Sequence, residues 1–162
     1  MSHMRPDITP SRQSESYLEA PANALQIAEI IGVRAKRMDD LALIGEVEKG
    51  LPLLSVERLA RHIDPADKTF AHGIVSRASL HRLRQQGKPL SRELSERVFA
   101  IARVFAEAKQ TWGGDEDAVR RFLARPHPLL GMRTPYDLAR GSSAGAELVV
   151  QLLGQARAGV AV

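Results

Sequence analysis

The chain has 162 residues, 44% apolar and 26% charged, the make-up of one globular domain or two very small ones rather than of a disordered segment. No apolar run approaches the ~20 residues of a bilayer helix, no apolar leader follows Met1, and there is no cysteine. Disulfides and thiolate chemistry are thereby excluded, no membrane span or secretory signal is expected, and a cytoplasmic protein of modest net charge, +4, is the expectation.

Ser2-His3-Met4 resembles a cloning remnant and is set aside. Residues 1–22, rich in Pro and Ser and without periodicity, read as a flexible N-terminal arm. From Asn23, Leu25, Ile27, Ile30 and Ile31 predict a helix before Gly32. Leu41, Leu43, Ile44 and Val47 predict a second, stopped by Gly50-Leu51-Pro52. Ser55 is the expected N-cap of a helix with Val56, Leu59, Ala60 and Ile63 inward. Asp64-Pro65-Ala66-Asp67 combines a capping side chain, a first-turn proline and an acid at the positive helix end, predicting a helix over 65–72. Ser76 caps the next, with Leu80 and Leu83 inward, up to Gly87-Lys88-Pro89. Ser91 opens the most regular helix, where Leu94, Val98, Ile101, Phe105 and Ala108 form one apolar stripe. After Gly113-Gly114, Asp115 caps a short helix, Thr134-Pro135 starts another, and a last one runs from about Ser143. Only Ala158 to Val162 offers a stretch that could pair as a strand. The chain reads as all-α: residues 23–90 as short helices with tight turns, and 91–162 as a long helix followed by capped shorter ones in a small helical domain.

The positive charge is unevenly placed. Lys68, Arg77, Arg82, Arg84, Lys88 and Arg92 fall in a stretch with no Asp or Glu, leaving the rest slightly acidic. Such a stretch marks a surface meeting an anion, or simply a solvated basic face. It coincides with a helix, a turn at Gly73-Ile74-Val75 and a second, Ser-capped helix, the grammar of a helix-turn-helix. That motif lays the N-terminal side chains of its second helix into a major groove ~12 Å wide. Candidate DNA contacts are Ser76, Arg77, Ser79, His81, Arg82, Arg84 and Lys88. Arg77, nearest the helix start, is the candidate for bidentate pairing with guanine, and the others for phosphate.

Nothing in the sequence assembles a catalytic site. His62, His72 and His81 have no zinc-ligand spacing, and Glu46 and Glu48 do not share a helix face. Gly141 to Gly145 follows a helix and lacks the lysine of a phosphate loop. With one Trp and 4% aromatics there is no stacking platform for single strands. No enzymatic activity and no metal are expected.

From Ser91 the chain resembles the Xre/MbcA/ParS-type antitoxins, whose C-terminal module binds RES-domain toxins. The resemblance runs through Ser95-Glu96-Arg97-Val98, Trp112-Gly113, Asp115-Glu116-Asp117-Ala118 and Phe122 to Gly131. It continues through Thr134 to Ala139, Gly145, Val149, Leu152-Leu153-Gly154 and Ala158-Gly159-Val160. Upstream, Gly73-Ile74, Ser79 to Arg82 and Gly87 to Ser91 resemble the family's DNA-reading half, so about residues 40–160 are covered. The sequence departs from the pattern at Phe122, where Trp is usual, at Met132, where a second Gly is common, and at Leu83, where a second basic residue is frequent.

The resemblance implies a type II antitoxin with no cofactor of its own. It would neutralise a NAD-degrading or ADP-ribosylating RES toxin by occluding its active site, and bind operator DNA to repress its own operon. It implies toxin contacts in the C-terminal module, with Gly131, Tyr136, Leu153, Arg157, Gly159, Val160, Ala161 and Val162 as candidates. The tail stays apolar to its end apart from Arg157, where a water-facing terminus favours polar residues. Residues of about 126–162 are therefore expected in the toxin's active-site mouth. A homodimer reading half-sites about 34 Å apart is expected, paired through the stripe from Leu94 to Ala108. A free-standing dimeric repressor without a toxin shares every DNA argument, and the neighbouring reading frame separates the two.

Overall fold

A computed structural model describes residues 24–34 and 38–161; the expected arm at 1–22, and Val162, lie outside the described residues. Helices follow in the order α1 (Ala24–Ile31), α2 (Asp40–Lys49), α3 (Leu54–Ile63), α4 (Ala71–Ile74) and α5 (Arg77–Gln86). Then come α6 (Arg92–Thr111), α7 (Glu116–Ala124), a 3-10 turn (Pro128–Leu130), α8 (Pro135–Gly141) and α9 (Ser143–Arg157). The described residues contain no strand, only an isolated bridge between His127 and Arg133, and Ala158 to Ala161 do not pair. The fold is all-α. No helix among the described residues is long and apolar enough to cross a membrane.

Most helix starts are set by one local hydrogen bond. Ser76, Ser91, Asp115 and Thr134 each accept the backbone N–H three residues on, at 3.0 to 3.3 Å, as their sequence context predicts. Ser142 does the same for α9 at 3.0 Å.

Two expected starts differ. Leu53 is already helical (φ −55°, ψ −34°), so α3 begins at Leu54 and Ser55 is buried inside the helix rather than capping it. Asp64 ends α3 instead of opening a helix. Its Oδ1 accepts the N–H groups of Ala66 and Asp67, at 3.2 and 3.1 Å, and Asp67 accepts both the N–H and the hydroxyl of Thr69. These side-chain bonds hold the backbone in turns, and helix resumes only at Ala71.

The core is one cluster extending from Ala24 to Leu153. Its axis is α6, which packs against α1, α2 and α3 as well as α7, α8 and α9. Val98, Val104, Phe105 and Ala108 have no exposed surface, and Ala102 and Ala106 on other faces are equally enclosed. A helix buried nearly all round is a central one. The stripe expected to be free for pairing with a second chain is thus consumed within this one, except for half-buried Leu94. The loop before α3 is pinned to the axis: the Ser95 hydroxyl accepts the Leu51 N–H at 2.8 Å, and Leu51 O accepts the Leu90 N–H at 2.9 Å. Gly50, at φ +103°, sits where a Cβ would collide with the Leu90 carbonyl.

Candidate nucleic-acid interface and partner surface

Helices α3, α4 and α5 form a tri-helical corner, with the turn at Val75-Ser76 rather than at Gly73 to Val75. Ile74 and Val75 are buried at the angle, and Leu80 and Leu83, the buried residues of α5, belong to the same core cluster. The Ser76 hydroxyl accepts the Ser79 N–H and donates to Ser79 Oγ at 2.9 Å, so both serines serve the cap. Gly87, left-handed at φ +60°, ends α5, and the Lys88 N–H returns to the Leu83 carbonyl.

The outer face of α5 is cationic. Arg77, His81, Arg82, Arg84 and Lys88 are exposed, while Ser79 is half-buried. Arg84 reaches Glu57 on α3 at 3.3 Å, an exposed pair of little strength. Among the described residues no carboxylate lies within ion-pair distance of Arg77, Arg82 or Lys88. The candidate DNA residues thus share one short helix and its C-terminal loop, with most of their charge uncompensated.

Two arginines from outside this corner hold the end of α4 just before its turn, which the sequence reading missed. Arg97 on α6 donates to the Ile74 carbonyl at 3.4 Å, and Arg140 on α8 donates to the Gly73 carbonyl at 3.3 Å. They meet the free carbonyls at the C-terminal end of α4, where a cation is favoured. Tyr136, expected among the toxin contacts, faces the same seam: its ring packs 5.2 Å from Phe70, with Arg140 6.0 Å above it. Burial pushes the Tyr136 phenol above its ordinary value. A cleft of about 250 Å³ runs beside it, lined by Ile63, Phe70, Leu123 and Arg120.

A second clasp lies at the end of α3. Glu116 on α7 meets Lys109 at 2.9 Å, Arg120 at 2.9 Å and His62 at 3.4 Å. Burial would raise its carboxyl, but the Lys109 hydrogen bond and the nearby charges outweigh that and hold it below the ordinary value.

The remaining candidates separate into inner and outer groups. Leu153 is in the core, 1% exposed. Arg157 lies 2.8 Å from the buried Glu107 carboxylate and also donates to the Glu107 carbonyl and the Thr111 hydroxyl. Gly131, Gly159, Val160 and Ala161 are exposed. Nothing in the sequence paired Glu107 with Arg157, because they are 50 positions apart.

Residues 42–103 match the family model described as the antitoxin Xre-like helix-turn-helix domain, from within α2 into α6. Residues 107–159 match the antitoxin Xre/MbcA/ParS C-terminal toxin-binding domain. No curated protein gives a significant match to the chain.

Proposed function

Since the chain belongs to the Xre-type antitoxins, carrying both their helix-turn-helix and their toxin-binding domain, we propose that it neutralises a RES-domain toxin and represses its own operon. A type II antitoxin with a DNA-binding half is the coarse reading. The finer one is that the C-terminal half binds the toxin directly and covers its active site, while α5 reads operator DNA in the major groove. The division at residues 23–90 and 91–162 is retained as the functional one. Both tasks are binding tasks in the cytoplasm and require no cofactor.

The observation that carries this reading is the pairing of a cationic helix, capped and held at its turn, with a second half matched as toxin-binding. A RES partner is supported by the order of motifs from Ser95 to Val160. A homodimer is supported by the ten-residue length of α5, which spans too few base pairs for specificity alone. With the α6 stripe buried, Leu25, Leu41, Ile44 and Leu54 are the large apolar side chains exposed on the first half among the described residues, and Leu41 and Ile44, together on α2, are the pair proposed for that contact.

The test is co-expression with the neighbouring reading frame carrying an affinity tag. Co-purification of the two chains, relief of growth arrest, and a mobility shift of the upstream DNA are expected. An untagged chain that fails to co-purify, yet still shifts that DNA, would leave the free-standing repressor as the correct reading.

A further inference from the structure

An apolar ridge runs along the outside of the second half from Trp112 to Met132. The Trp112 ring packs 4.9 Å from Phe122, and Phe122 packs 6.4 Å from His127. His127 then closes a loop on itself. Its Nδ1 accepts the Leu129 N–H at 3.2 Å, its carbonyl accepts the Met132 N–H, and its own N–H donates to the Arg133 carbonyl. The loop turns Leu129 and Met132 outward, 58% and 64% exposed.

This exposure is held at a conformational cost. Met132 has φ +60° and is the one non-glycine residue with positive φ among the described residues. Glycine would adopt that backbone without strain, whereas a side chain there is strained. Packing within the chain does not compensate, because most of the Met132 side chain is in water. Strain retained at a solvent-facing apolar side chain points to a contact made outside the chain. Trp, Met and Arg are also the residue types enriched at protein interfaces.

Charge says which partner. Arg121 and Arg125 stand on either side of Phe122 in the chain, one helical turn apart, and Arg133 closes the loop; all three are exposed. Among the described residues none of them has a carboxylate at ion-pair distance. In a two-fold contact with a second copy the patch would meet itself, setting cations against cations. DNA would suit the arginines but not the apolar tip. We propose that this ridge, with Leu129 and Met132 at its tip, is the primary docking surface for the toxin, seated in an apolar groove with an acidic rim. The inference rests on the antitoxin reading and makes the C-terminal tail a secondary contact.

The test uses the full-length chain and the tagged product of the neighbouring reading frame. Met132→Gly should raise the Tm by about 2 °C as the strain is relieved. The same change should weaken capture by the tagged protein about tenfold. A purely structural role would move both in the same direction. Arg121→Glu with Arg125→Glu should slow association and remove its salt dependence. Unchanged capture by Met132→Gly and by Leu129→Asp overturns the inference while leaving the antitoxin reading intact. A shift in the chain's own oligomeric state without the toxin, in either variant, overturns it in favour of a second copy. Failure of the unaltered chain to be captured overturns the antitoxin reading, and the inference with it.

Discussion

Arg140 donates to the carbonyl of Gly73, a residue 67 positions earlier, at 3.3 Å. The bond ties α8 in the toxin-binding half to the C-terminal end of α4, just before the turn into α5. Arg97 ties the axis helix to the adjoining Ile74 carbonyl in the same way. On the proposed DNA-binding role of α5, the angle of its cationic face is therefore held in part from outside the tri-helical corner.

Replacing both arginines by methionine should lower affinity for the DNA upstream of the reading frame about tenfold, on the order of 1.4 kcal/mol. Because neither is assigned to phosphate, the slope of log K against log salt should stay unchanged. Fluorescence anisotropy at several salt concentrations measures both quantities. A slope that fell with the affinity would mean direct phosphate contact and end the positioning role.

Variants within α5 and its C-terminal loop should separate reading from clamping. Arg77→Ala should relax base preference at one position per half-site, by about 1–3 kcal/mol of discrimination. Lys88→Ala should weaken binding to all sequences alike and reduce the salt slope by about 1. Operator binding that survived Arg77→Ala, Arg82→Ala and Arg84→Ala combined would remove α5 from the interface.

The Glu107–Arg157 pair makes the end of α9 part of the fold. Arg157→Ala leaves a carboxylate that is 1% exposed without its cation and should cost about 3–5 kcal/mol of stability. Urea denaturation gives the value, and simultaneous replacement of Glu107 by Leu and Arg157 by Met should be milder. A truncation after Gly154 would remove Arg157 and unfold more than the tail. Cutting after Ala158 spares the pair and isolates what Gly159, Val160, Ala161 and Val162 contribute to toxin rescue.

Stability should also fall in acid through Glu116. Its carboxyl is held below the ordinary 4.5 in the folded chain, so its contribution is complete above that value. The contribution is lost as pH drops through the lower folded value, since the unfolded chain then binds the proton more readily. Thermal melts of wild type and Glu116→Gln between pH 6 and about 3 should converge toward the acid end, with the difference largest near neutrality. Parallel curves over that range would show that Glu116 does not link folding to protons.

Short-range chemistry was legible in the sequence alone. A capping oxygen at Ser76, Ser91, Asp115 or Thr134 needs only the N–H three residues on, so position in the chain suffices to place it. The acid-free basic run and the period of the α6 stripe are equally local, and from them follow the all-α class and the cationic helix. Local signals failed where two side-chain programmes competed, as at Asp64, whose oxygen holds turns instead of opening a helix. Only the tertiary structure decided which surfaces remain free. It buried the α6 stripe inside one chain, turned Tyr136 inward against Phe70, and brought Arg157 to Glu107. It also put Met132 into a left-handed loop with its side chain in solvent. These outcomes depend on which distant residues meet when six helices close around α6, and periodicity along the chain carries no information about that meeting.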